Sequence, residues 1–272
     1  MTDPRTLQTA AVRARCFPGA PLAVALTCLA GAGFLALLTA ESRADTPPRN
    51  PYPAMAPLAQ YLTPRDAEIA LARSAGPESV TRDAEVLVLG PHGYETAVPG
   101  HNGFVCAVQR SWAAPADDPE FWNPKARSPI CWNSAAARYC VPLMVRKTRL
   151  VLEGKSKAEI VAGIRAALGA GEFPPLGAGA MCFMMSRGGH LNDEAGPWHP
   201  HLMFFLPQEP AAAWGADLPG SPVLSSVDSV DQVTTFMVPV RKWSDGSWDA
   251  LPPSVCDPTP GAAASPPAPS KS

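Results

Sequence analysis

The order of the hydrophobic patterns constrains this chain most: strand-like runs come first, helical runs follow, and strand-like runs return at the end. A parallel sheet needs strands and helices in alternation, so this segregated order points to an α+β fold on a mostly antiparallel sheet. Residues 86–89 (Val-Leu-Val-Leu) are closed by Gly90-Pro91-His92-Gly93, a turn with proline at its second position. Residues 94–98 and, after a second Pro/Gly turn, residues 104–112 complete what reads as an antiparallel meander. Residues 180–186, 201–206 and 233–240 supply the later strands. The expectation is about six strands, with the helices inserted between the first three and the last three.

Helix ends are marked chemically. Thr63-Pro64-Arg65-Asp66 reads as an N-cap, a proline at the first helical position and an acid in the first turn, with Gly76 as the stop. Ser134 is a candidate cap for residues 135–140, and Pro142 predicts a break with a fresh start before Leu143. Ser156-Lys157-Ala158-Glu159 is a capping box, and Ile160, Val161, Ile164 and Leu168 form an apolar stripe behind it, ended by Gly169.

The N-terminus sets the chemical setting. Arg13 and Arg15 precede an uncharged apolar run over residues 22–38, and Ser42-Arg43-Ala44 ends it in small-x-small form. That is the layout of a signal peptide over residues 1–44, cut after Ala44, with an uncleaved signal anchor as the alternative and the membrane touched only there. Either way, residues beyond it are expected in the periplasm or outside the cell. Residues 45–57 hold five prolines and read as an extended linker, residues 58–256 as one α+β domain, and residues 257–272 as a disordered Ala/Pro/Ser tail.

Charge excludes one class of partner. The whole chain has Lys+Arg 22 and Asp+Glu 24; without the first 44 residues it keeps 18 basic and 22 acidic groups, a net charge of −4. No basic stripe remains that could neutralise a nucleic-acid backbone. Arg146, Lys147, Arg149, Lys155 and Lys157 cluster in sequence and read as a solvated helical face.

Five cysteines follow residue 44, and disulfides persist outside the cytoplasm. Cys106, in the third strand, and Cys131, in the irregular segment returning from it, are the expected pair; Cys182, in the most apolar strand, is the expected free thiol.

The candidate site is the loop over residues 187–198 and the strand start behind it. His199 and His201, two apart, would share one face of a strand, which is how paired imidazoles reach one metal ion. His190, Asp193 and Glu194 could complete the ligand set of a zinc or copper centre, with Asp193 or Glu194 as base. Arg187, Asn192 and Trp198 are the candidates for contacting a small molecule, a glycan or an envelope protein. A His-x-His pair is also commonly structural, each ring bonding a backbone group.

Several phrases together resemble a family of exported bacterial proteins of unknown function: residues 90–97 (Gly-Pro-His-Gly-Tyr-Glu-Thr-Ala), 102–106 (Asn-Gly-Phe-Val-Cys), 121–125 (Phe-Trp-Asn-Pro-Lys), 198–205 (Trp-His-Pro-His-Leu-Met-Phe-Phe), 214–222 and 242–246. The resemblance spans roughly residues 60–250 and implies export and a single domain, without an activity or assigned residues. Two functions stand as expectations: a non-catalytic exported domain that binds a ligand or partner, and a metal-dependent hydrolase using the His199/His201 pair.

Overall fold

The computed structural model describes residues 50–250, all within one compact unit. The expected signal segment, its cleavage site, Cys256 and the Ala/Pro/Ser tail lie outside the described residues. Helices α1 (Arg65–Arg73) and α2 (Glu78–Thr81) lead into strands β1 (Glu85–Gly90), β2 (Gly93–Val98), β3 (Val105–Gln109) and β4 (Ser128–Trp132). Helices α3 (Ser134–Leu152) and α4 (Lys157–Gly169) follow, and then β5 (Met181–Met184), β6 (His201–Pro207), β7 (Leu224–Asp228) and β8 (Val233–Pro239). The class is α+β, with one eight-stranded mixed sheet in the order β2-β1-β3-β4-β5-β6-β8-β7. Among the described residues no helix is long and apolar enough to cross a membrane.

Three features differ from the sequence expectation. First, β3 does not continue a meander beside β2; it pairs with β1 in parallel, Val86 opposite Cys106, and leaves β2 at the sheet edge. Burial explains the choice: β3 is covered at its centre, whereas β2 exposes Glu95 and Thr96. The crossing segment runs tight under β1, with the Glu85 N–H donating to the Phe104 carbonyl. A Cβ on Gly100 would lie 2.1 Å from the Glu85 nitrogen, so only glycine fits there.

Second, two strands escaped the pattern. β4 is short and carries Pro129, which is tolerated because only Cys131 and Trp132 of β4 pair with β5. β7 is a Ser-containing edge strand with an exposed centre. Helices α3 and α4 therefore lie between the first four strands and the last four, while α1 and α2 precede the sheet.

Third, α3 runs unbroken through Pro142. Tyr139, Leu143, Lys147 and Leu150 recur on one buried face across the proline. Packing of that face outweighs the ~3 kcal/mol that an interior proline costs. Its cap is Asn133 rather than Ser134: Asn133 Oδ1 accepts from the Ala136 and Met181 N–H groups, while Nδ2 donates to the Gly179 carbonyl. Helix α1 begins at Arg65, after Pro64, and ends at Arg73 well before Gly76; Thr63 Oγ1 instead accepts from Arg127. The Ser156/Glu159 capping box is formed as its sequence indicates.

Both faces of the sheet are covered, unevenly. Leu87, Ala107, Ile130, Trp132 and Cys182 meet α3 on one face, and Val86, Val88, Cys106, Val108 and Cys131 meet α1 and its surroundings on the other. Cys106 and Cys131 sit directly opposite each other on β3 and β4 and form a disulfide. On the α1 face, Glu68 and Arg110 form an ion pair of 2.6 Å with side chains 1% and 0% exposed. Its spare capacity is used: Glu68 accepts the Leu89 N–H, and Arg110 donates to the Tyr61 and Val108 carbonyls.

Two stability measurements follow. Glu68→Ala strands a buried guanidinium and is expected to cost about 3–5 kcal/mol in urea denaturation, whereas replacing both partners with apolar residues costs less. Reducing the Cys106–Cys131 bond opens a loop with a sequence separation of 25 and is expected to lower stability by about 3 kcal/mol. A Cys131→Ser chain whose midpoint equals that of the oxidised protein would contradict this.

Candidate functional site

The loop between β5 and β6 is held by hydrogen bonds at its root, its middle and its end. The Met185 N–H donates to the Ala75 carbonyl, and Arg127 and His190 exchange two backbone hydrogen bonds of 2.8 and 2.7 Å. Asn192 Oδ1 accepts from the Glu194 and Ala195 N–H groups and closes a turn on Gly196. Glu194 itself is exposed at the tip.

Asp193 is the hub. Its carboxylate accepts from the Tyr52 hydroxyl at 2.5 Å and from Lys125 at 3.0 and 3.1 Å, and it lies 3.1 Å from His190 Nε2 and 3.3 Å from Asn123 Nδ2. Its own N–H donates to the Glu120 carboxylate. The Tyr52 hydroxyl, followed by Lys125, holds the Asp193 carboxyl well below the usual carboxylate range. In return, the bond to Asp193 raises the Tyr52 phenol. The second half of the Pro-rich linker is thereby pinned to this loop.

The histidines take different hydrogen-bond partners. β6 begins at His201, and His199 lies just before it. His199 Nδ1 lies 2.7 Å from Asp249 Oδ2. His201 is buried, and its Nδ1 donates to the His199 carbonyl at 2.7 Å, because a carbonyl can only accept. Burial lowers the His201 pKa and keeps the ring neutral. Trp198, left-handed at φ 55°, packs edge-on against His201 at 4.8 Å and tilted against His199 at 5.6 Å. Arg187 lies over the Trp243 ring and donates to Ser247 Oγ and the Trp248 carbonyl.

The structure thus brings His190 to Asp193, and both His199 and His201 to Trp198. Among the described residues no group of three or more His, Cys, Asp or Glu side chains is placed to hold a metal ion. Neither free thiol among the described residues is poised as a nucleophile: burial pushes Cys140 up to about 12 and Cys182 well above its ordinary value.

A second place, which the sequence reading missed, is a cavity of about 290 Å³ between α3 and the β6–β8–β7 end of the sheet. Trp112, Trp132, Tyr139, Phe205, Met203 and Met237 supply its apolar walls. At one side Lys147 pairs with Asp231 at 2.7 Å, their side chains 7% and 14% exposed, and the Tyr139 hydroxyl donates to the Asp231 carbonyl. Burial raises the Asp231 carboxyl; Lys147 opposes that shift and Asp228 adds to it. Lys147 therefore does not belong to a solvated helical face. Its spacing of four from Leu143 and eight from Tyr139 is the signal that places it on the buried side. Asp231 has no comparable signal, because its hairpin loop meets α3 only in three dimensions.

No family model, curated protein or solved structure matches this chain.

The Asp193 hub carries a pH prediction. The carboxyl is lower in the folded protein than its unfolded value of about 3.9, so its contribution is complete above that pH and is lost as pH falls through the folded value. Amide protection at His190, Leu191 and Gly196, read by hydrogen exchange, is expected to hold from pH 7 to about 4 and to fall below it. Asp193→Ala is expected to lose that protection already at pH 7; unchanged exchange in the variant would remove Asp193 from this role.

Proposed function

We propose that this chain is an exported, non-catalytic domain that binds a small molecule in the cavity between α3 and the β6–β8–β7 end of the sheet. The observation that carries the reading is the cavity itself: concave, walled by aromatic and methionine side chains, and fitted with a few polar groups at one side. That chemistry favours a compact amphipathic molecule over a glycan or a protein surface. Export is supported by the leader-like residues 1–44 and by the Cys106–Cys131 disulfide, which suits an oxidising compartment. Kinship with exported bacterial proteins of unknown function belongs to the same reading and rests on the sequence phrases alone.

The rival reading, a zinc- or copper-dependent hydrolase at His199 and His201, is favoured by one observation. A carboxylate on imidazole Nδ1, as Asp249 stands to His199, is the arrangement that orients a metal-binding ring. Among the described residues it lacks a third donor. Metal analysis of untagged protein tests it, with stoichiometric zinc or copper lost in His201→Ala as the result that would favour it.

The cavity reading is tested by filling the space. Cys140 lines it, and Cys140→Phe is expected to weaken binding of an apolar fluorescent probe more than about tenfold while the thermal midpoint stays within a few degrees. Equal probe binding by Cys140→Phe, or none by the parent protein, would defeat the reading.

A further inference from the structure

We infer that the cavity selects an organic cation, a compact amine with an aryl or alkyl body; this rests on the ligand-binding reading above. The argument is a charge count around an apolar space. Five ionised or ion-paired groups bear on it: Arg110, Lys147, Asp228 and Asp231 line it, and Glu68 stands behind Arg110. Arg110 is committed to Glu68 and to two backbone carbonyls, and Lys147 is committed to Asp231 Oδ2. Asp228 accepts the Val230 and Asp231 N–H groups and has no cationic partner among the described residues. Beside the cavity, two carboxyls thus face one lysine.

A second observation points the same way. Asp231 Oδ1 is buried and has no hydrogen-bond donor. The Asp228 side chain lies within hydrogen-bonding reach of Asp231, so the two acids can share one proton, and a ligand ammonium would take that proton's place with a charge-assisted bond. The raised Asp231 carboxyl is the expected consequence of burial beside a second acid, and a bound ammonium would reverse it.

The walls complete the match. Trp112, Trp132, Tyr139 and Phe205 present aromatic surface to the same space. Aromatic faces attract cations, more strongly when water is excluded, and they cover an aryl or alkyl body equally well. A carboxylate ligand of the same shape would meet Asp228 and Asp231. A neutral alcohol would gain the walls but no charge-assisted bond. About 290 Å³ is at the small end for a ligand pocket, which suits a single ring with a short side chain.

The test is calorimetric titration of the full chain with three matched probes: 2-phenylethylamine, 2-phenylethanol and 3-phenylpropanoate. The amine is expected to bind about tenfold or more tightly than the alcohol, and the carboxylate more weakly than either. Asp228→Asn keeps an acceptor for the Val230 and Asp231 N–H groups while removing the charge, and it is expected to collapse the amine-to-alcohol ratio toward one. Equal binding of amine and alcohol, or preference for the carboxylate, overturns the cation inference and leaves the ligand reading standing. Binding of none of the three overturns both. Should Asp228→Asn fail to fold, the probe series on the parent protein decides the matter alone.

Discussion

The Glu68–Arg110 pair is the contact around which this fold is arranged. It ties α1 to the end of β3, holds the Leu89 N–H of β1 and reaches back to the Tyr61 carbonyl. Four separate stretches of chain thus converge on one buried ion pair. Such a pair contributes little net stability compared with apolar packing, yet removing one partner leaves a charge that nothing else can satisfy. With β3 parallel to β1, Arg110 at the end of β3 meets Glu68 of α1.

The uneven covering of the sheet follows from that arrangement. Helix α1 is held over β1, β3 and β4, and α3 crosses the opposite face from β2 toward β5. The β6–β8–β7 end receives less from either helix. On one side the Trp214 ring stacks on Phe236 at 4.5 Å and closes the surface. On the α3 side the gap remains as the cavity, bounded by Trp112, whose indole nitrogen donates to Thr148 Oγ1. Lys147 and Asp231 join α3 to the β7–β8 hairpin across the same gap. A site emerges because the sheet is wider than its helical cover.

The loop over residues 187–198 carries residues that sequence reasoning associates with chemistry, and the structure uses them to join segments. Asp193 gathers Tyr52, Asn123, Lys125 and His190, while Asn192 shapes the turn and Arg187 braces the Trp243–Trp248 segment. His201 is packed beneath Trp198 at the strand start. Polar residues that bridge distant stretches of chain look in sequence like residues that bind a ligand, because both tasks call for the same donors and acceptors.

What the sequence determined by itself was mostly local: the α+β class, the capping box at Ser156 and Glu159, the hairpin turn at Pro91-His92, and the choice of Cys106 and Cys131 as the disulfide pair. The first three depend on residues near one another or on a repeat within one element, and the disulfide on the short return between its cysteines. Tertiary structure decided the rest. β3 chose β1 over β2 because burial favoured it there, α3 ignored Pro142 because its packed face runs past it, and Lys147 turned inward because Asp231 waits on a distant hairpin. The cavity belongs to that second group: its walls come from six elements and two loops, and only their assembly creates the space.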